Sequence, residues 1–357
     1  MLSFEGAIEI FTTCPQSRAM APAEYLRIVR EVAAWSDEAG CTGMLIYTDN
    51  GIVDPWLVAE TVLQSTRQLS PLVAVQPVYM HPYSAAKMVS SFGYLHGRRI
   101  HLNMLAGGFR NDLLALGDTT PHDERYARTI EYTLILRRLL EADTPVTLEG
   151  HYYQVRNLRM TPPLPAELFP GFLISGSSEA GRQAAAAIGA TPVEYPKPIA
   201  ESGALGGEVT AGGRPCGIRV GIIARSDAEE AWRIAHQRFP EDRRGRLAHQ
   251  MAMQTSDSLW HRQLSELAGR EPGRSDTYWL WPFENYGTFC PYLVGDYDTV
   301  ADQVASYLRL GASCFILDIP REAFDLETTG IVFRKALQKL GRKAEATALP
   351  AAWDDHR

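Results

Sequence analysis

The 357-residue sequence has no run of about 18 consecutive apolar residues, so no stretch is long enough to cross a bilayer as a helix, and a membrane is not an expected partner. It opens without the basic segment and apolar core of a secretion signal. Cysteine is scarce: Cys14, Cys41, Cys216, Cys290 and Cys314 lie far apart, and none forms a CxxC pair. An odd number at such spacing points away from a disulfide framework or a zinc ribbon and toward a reduced, cytoplasmic setting. The nine histidines include no pair at ligand spacing, so no metal site is expected. Positive charge is not in excess either. A net charge of −7 leaves no electrostatic footprint for nucleic acid. HExxH, GxSxG, a P-loop and a GxGxxG followed by a ribose-binding carboxylate are all missing.

What is present is an ordinary globular composition, 45% hydrophobic and 22% charged, in which short apolar runs alternate with longer helix-like stretches. Strand-like runs occur at residues 7–11, 43–47, 71–76, 100–105, 171–175, 191–195, 218–224 and 314–319. Helix-like stretches occupy 22–39, 56–67, 83–95, 124–141, 179–188, 228–239 and 297–310. This alternation predicts an α/β fold, a TIM (β/α)8 barrel, in one domain spanning residues 1–357. Residues 149–165 read as an irregular arm with a short hairpin at 151–158. An insertion at 256–292, between strands seven and eight, is dense in aromatics, among them Trp260, Tyr278, Trp279, Tyr286, Phe289 and Tyr292. It reads either as a lid over a site or as an excursion packed on the outside of the barrel. The glycine-rich stretch 201–213 has little to pack and is expected to be mobile.

In a barrel the C-terminal ends of the strands carry the active face. That rule selects Tyr47, Thr48, Asp49 and Asn50 after strand two, and Asn103 on strand four with Gly107, Gly108 and Asp112 beyond it. It also selects Ser175-Gly176-Ser177-Ser178 after strand five. The last segment joins a strand to a helix, where free backbone N–H groups and the positive end of the helix dipole converge. It has two readings: a phosphate cup, or a helix capped by Ser178 with no ligand. Gly107-Gly108 either lets a flat ring lie against the backbone or makes a tight turn. In His122-Asp123-Glu124-Arg125-Tyr126, Arg125 and Tyr126 could reach a phosphate, or the segment is an acidic helix start with a solvated arginine.

Read together, these segments resemble the luciferase-like flavin monooxygenases, in particular the alkanesulfonate monooxygenase branch. The resemblance is carried by Gly97-Arg98-Arg99-Ile100-His101-Leu102-Asn103-Met104-Leu105-Ala106-Gly107-Gly108, by residues 122–129, by Gly150-His151-Tyr152-Tyr153 and by Ser175-Gly176-Ser177-Ser178-Glu179-Ala180-Gly181. Gly217-Ile218-Arg219, Glu229-Glu230-Ala231-Trp232 and Val294-Gly295 follow in order, so it covers nearly the whole chain. It implies an enzyme that uses reduced FMN and O2, supplied with flavin by a separate NAD(P)H:flavin reductase and assembled as a homodimer or homotetramer. It implies flavin contacts from Tyr47, Thr48, Asn103, Asp112, Arg125, Tyr126, Ser177 and Ser178, and polar positioning at the reacting centre by Asn103 and Arg219.

Departures from that branch bear on the substrate. Ile52 stands where its sulfonate enzymes carry a cysteine, Gly221 where they carry a histidine, and Tyr286 and Ile319 align with a mobile-loop arginine and a tyrosine. A sulfonate needs cationic partners to offset its desolvation. Their loss, beside an aromatic wall of Tyr286, Phe289 and Tyr292, implies a small organic substrate that is bulkier and less anionic than an alkanesulfonate. An F420-dependent hydride-transfer enzyme and a non-catalytic flavin-binding homologue share the same motifs.

Overall fold

The computed structural model describes residues 2, 8–18, 20–203, 205, 216–255, 259–270 and 276–341. The first half runs β1 (Glu9–Thr13), α1 (Pro22–Glu38), β2 (Gly43–Ile46), α2 (Pro55–Ser65), β3 (Ser70–Val75), α3 (Pro82–His96), β4 (His101–Met104), α4 (Arg110–Ala115) and α5 (His122–Glu141). Then come β5 (Val146–Glu149), β6 (Gln154–Leu158), β7 (Gly171–Ser175), α6 (Glu179–Ile188), β8 (Thr191–Glu194) and β9 (Cys216–Arg225). The remainder is α7 (Ala228–Arg238), α8 (Arg243–Thr255), α9 (Leu259–Arg270), β10 (Tyr278–Trp279), α10 (Trp281–Glu284), β11 (Tyr292–Asp296), α11 (Tyr297–Arg309), β12 (Ala312–Leu317) and α12 (Ala323–Lys339).

Local chemistry sets the helix starts. Asp54 accepts from Trp56 N with Pro55 in the first helical turn, Asp227 accepts from Glu230 N, and Asp296 accepts from the N–H groups of Asp298 and Thr299. Gly97 and Gly189 end α3 and α6 in the left-handed conformation. Strands β1, β2, β3, β4, β7, β8, β9 and β12 pair in parallel, and β9 closes the ring by pairing with both β8 and β12. This is the TIM barrel that the alternation predicts, with each strand found within two residues of its expected bounds.

A parallel barrel buries both faces of its strands, and every residue of β9 is buried. Alternate residues point inward. Phe11, Leu45, Leu72, Leu173, Val193, Cys314 and Ile316 meet as the packed interior, and a larger apolar cluster joins the outer faces of the strands to the helices.

Three parts differ from the sequence reading. The arm is a full antiparallel hairpin of β5 and β6, longer than 151–158, and the Glu131 carboxylate pins its turn by accepting from the N–H groups of His151, Tyr152 and Tyr153. The insertion, read as a lid or an outer excursion over 256–292, has other bounds. It starts earlier, at α8, and contains three helices, α8, α9 and α10, and two strands, β10 and β11, the second of which runs parallel to the second half of β9. A further helix, α12, packs against α11 and β9. Most of the glycine-rich stretch 201–213 lies outside the described residues, as do 256–258 and 271–275 of the insertion. Among the described residues no helix is long and apolar enough to cross a membrane.

One buried group ties this core to pH. His101 packs edge-on against Phe11 with ring centroids 5.2 Å apart, and a side chain at Gly171 would strike its ring. Burial first, and then the Arg99 charge, depress its pKa to about 3. The folded chain therefore holds it neutral while the unfolded chain protonates it near the ordinary value of about 6.5. A depressed folded-state value means that its contribution to stability is present above that pH and is lost as pH falls through the window, at about 1.4 kcal/mol per pH unit. Denaturant unfolding at pH 7 and pH 5 should differ by about 2 kcal/mol more in the native protein than in His101→Phe. An equal pH dependence in both would overturn this account.

Candidate functional site

The C-terminal ends of the barrel strands open onto a cavity of about 370 Å³. The alternation that fills the barrel also builds this site. Tyr47, Ser175 and Tyr195 sit two residues beyond the inward-facing Leu45, Leu173 and Val193. Asn103 follows His101 by the same step, and Arg219 follows Gly217, where a side chain would meet Val193 and Cys314. The layer above the apolar plug is thus polar and aromatic.

Arg219 is its most constrained member. Only 5% of it is exposed, and its guanidinium lies 4.8 Å from the centre of the Tyr47 ring. Nη1 donates to the Tyr195 hydroxyl at 3.3 Å, while Nε and Nη2 are buried with no hydrogen-bond partner among the described residues. A cation over an aromatic face is stabilised by the ring quadrupole, which partly offsets its desolvation. Two donors of a positive group remain available to a ligand. Beside it the Ser175 hydroxyl donates to Asn103 Oδ1 at 3.2 Å, which orients the Asn103 amide.

The aromatic wall has two parts. Tyr195 stacks on Trp260 with centroids 3.8 Å apart, and Phe289 meets Tyr47 and Tyr286 edge-on at 6.4 and 5.5 Å. Tyr286 holds a positive φ of 55°, a strained conformation for a bulky residue, where its side chain lines the cavity. At the mouth Arg18 pairs with Asp49 at 2.5 Å. Burial, and then the Asp49 charge, push the Asp112 carboxyl above its ordinary pKa, with Arg18 opposing.

The turn after β7 forms a cradle. Ser178 caps α6 by accepting from Gly181 N at 3.1 Å, whereas the Ser177 hydroxyl is buried with no partner among the described residues. The Tyr126 hydroxyl lies so close to Gly176 that a Cβ there would come within 2.3 Å of it. Only glycine fits. Burial raises the Tyr126 phenol, and its hydrogen bond with Ser178 opposes the rise.

Residues 8–314 match the family model of luciferase-like monooxygenases. The chain belongs to that family. Membership makes it an enzyme, a flavin-dependent monooxygenase. It is 38% identical over 297 residues, 82% of this chain and 86% of the relative, to BtrO of Niallia circulans, a monooxygenase named for a 4-(gamma-L-glutamylamino)butanoyl group on the BtrI acyl-carrier protein. The oxygenating constituent of 3,6-diketocamphane monooxygenase from the CAM plasmid of Pseudomonas putida, solved with FMN, superposes with a TM-score of 0.69 at 15% identity, over 93% of this chain and 99% of that one. An F420-dependent secondary alcohol dehydrogenase, solved with an F420-acetone adduct, gives 0.66 at 15% identity, over 92% and 99%. At such identities the two structures share the family's fold alone.

Of the residues singled out from sequence, Tyr47, Thr48, Asn103, Asp112, Tyr126, Ser177, Ser178, Arg219, Tyr286 and Phe289 all line the one cavity. Arg125 does not: it is buried and its Nη1 donates to the Thr120 carbonyl at 3.0 Å, back along the chain. Ile52 does not, because the turn at Asn50-Gly51, held by Asp49 accepting from Gly51 N, carries the chain off the wall. Tyr292 is not on the wall either. Its ring fills the space that a side chain at Gly221 would need, and its hydroxyl donates to Asp318 at 2.7 Å. Ile319 also lies outside the lining. The sequence reading missed Gln76 and Tyr195, which line the cavity. Both end expected strands, so the strand-end rule applied to every strand finds them.

Asp318 accepts from Thr288 at 2.6 Å as well as from Tyr292, and so anchors the segment that carries Tyr286 and Phe289. Tyr292→Phe keeps the ring and removes one donor to a carboxylate. It should lower unfolding free energy by about 2 kcal/mol in denaturant titration. A change below about 0.5 kcal/mol would show that the anchor does not hold the segment.

Proposed function

We propose that this monooxygenase uses reduced FMN and O2 to oxygenate an acyl group presented as a thioester on a carrier protein. The observation that carries the flavin reading is the Ser177 hydroxyl, buried and without a partner among the described residues, on the cavity wall beside the N-terminus of a ten-residue helix. A buried hydroxyl without a partner is disfavoured, and an anion at a helix start satisfies both features. The donor set fits a flavin phosphate. Ser177, Tyr126 and the first N–H groups of α6 would hold it, with Thr48, Asn103 and Asp112 toward the ribityl chain and ring. Bound reduced flavin supplies the electrons that activate oxygen, and a separate NAD(P)H:flavin reductase supplies the flavin.

The chain's own residues orient and shield. Arg219 offers Nε and Nη2 to a substrate oxygen, Ser175 fixes the Asn103 amide, and Tyr286, Phe289 and Trp260 keep water from the reacting centre. The 38% identity to BtrO supports the thioester reading. So does a wall where, among the described residues, Arg18, already paired with Asp49, and Arg219 are the only Lys or Arg side chains, which suits a mostly uncharged chain with one polar group.

Anaerobic titration should show tight binding of reduced FMN and none of reduced F420; the reverse would overturn the cofactor assignment. Ser177→Ala should weaken reduced FMN by about tenfold or more, the loss of one hydrogen bond to a charged group. Replacing Tyr286 and Phe289 together by Ala should raise hydrogen peroxide release per O2 consumed while the fold survives. Unchanged coupling would mean that they are structural.

A further inference from the structure

Beside the main cavity the described residues leave a second one of about 260 Å³, and Ser177, Tyr195 and Trp260 line both. The two meet at the stacked Tyr195–Trp260 pair, whose ring planes lie 12° apart. Of the flavin contacts given above, Ser177 alone borders this compartment, and the rest of its wall is unused. Its wall has a different character. Arg182 and Lys197 bring positive charge, Glu194 and Glu201 negative charge, Gln263 an uncharged amide and Leu264 an apolar side chain.

The opposed charges balance, so the wall does not select an anion. Arg182 is also engaged, donating to the Ser177 carbonyl at 2.7 Å and pairing with Glu179 at 2.5 Å. The guest that fits is elongated and uncharged, with amide groups for Gln263, which offers both donors and an acceptor, and an aliphatic part for Leu264. Lys197 is exposed and makes no ion pair among the described residues, so the rim can meet a negative group that remains in water.

We propose that this second cavity is a channel for the pantetheine arm of the thioester substrate. The arm's two amides and dimethyl-bearing carbon lie along Gln263 and Leu264, the phosphate that joins the arm to its carrier meets Lys197 at the rim, and the acyl head enters the main cavity beside Tyr195 and Trp260. The inference rests on the thioester reading, and it adds where the arm runs and which residues recognise it.

The test compares butanoyl pantetheine with butanoyl N-acetylcysteamine, which carries the same head on a truncated arm, by calorimetry on the flavin-loaded protein. The longer thioester should bind roughly tenfold tighter, and Gln263→Trp, which fills the second cavity alone, should abolish that advantage. Reduced FMN affinity, a property of the main cavity, shows that Gln263→Trp is folded. Equal binding of the two thioesters overturns the channel and leaves the thioester reading standing, as does an advantage that persists in folded Gln263→Trp. If neither thioester binds, the thioester reading falls and the channel with it. Butanoyl coenzyme A and a butanoyl-loaded carrier protein then distinguish the two sources of the arm. Loss in Gln263→Trp of whichever supports oxygen consumption upholds the proposal, and retention of it overturns it.

Discussion

Parallel strands in a closed ring leave each inward side chain no exit except upward, toward the strands' C-terminal ends. On that constraint the site depends. The positions that pack the barrel interior, Leu45, Leu173 and Val193, fix by a two-residue step the positions that face the cavity, Tyr47, Ser175 and Tyr195. A slip of one residue would turn Arg219 out of the cavity and bring a neighbour in. The apolar plug below makes the polar layer above costly to misplace, since Arg219 and Asn103 are both about 5% exposed and tolerable only where a ring, a hydroxyl or a ligand meets them.

The second determinant is the length of β9. Its first half pairs with β12 and its second half, from Gly221 to Arg225, with β11. That extension lets the insertion join the barrel edge instead of hanging from it. Gly221 admits the Tyr292 ring, Tyr292 and Thr288 reach Asp318 at the end of β12, and the intervening chain lays Tyr286 and Phe289 against the cavity. The glycine that looks in sequence like a lost catalytic position is a steric allowance for this anchor. The strained Tyr286 backbone is then held by contacts on both sides.

The barrel was legible in the sequence because strands buried on both faces leave continuous apolar runs. Most of the cavity was legible because strand ends point to it. What escaped has definite causes. Helix α12 buries Asp325, Thr328 and Thr329 on its inner face, where Arg225 and Arg238 meet the Asp325 carboxylate, so its apolar period is broken by an ion cluster. Helices α8 and α9 likewise bury His249 and His261. Arg125 and Tyr126 are neighbours on a helix, about 100° apart around its axis, so only one of them can face the cavity. Strand β11 depends on pairing with a strand about seventy residues away, a long-range fact that no local pattern records.

The chemistry of the cradle bears on how a flavin would be held. Ser178 uses its hydroxyl to cap α6, Arg182 is tied to Glu179 and the Ser177 carbonyl, and Arg125 is turned toward Thr120. A phosphate there meets neutral donors and a helix start, with no guanidinium or ammonium supplied by these side chains. Hydrogen bonds from these neutral donors are charge-assisted by the phosphate alone, and they lack the bidentate ion pairing that a guanidinium would add. A helix dipole adds about 0.3–1 kcal/mol at an accessible site. Such a cradle fixes position without holding the cofactor permanently. That balance suits the proposed use of flavin as a cosubstrate that arrives reduced and leaves oxidised, with the side chains of Arg125, Ser178 and Arg182 engaged elsewhere.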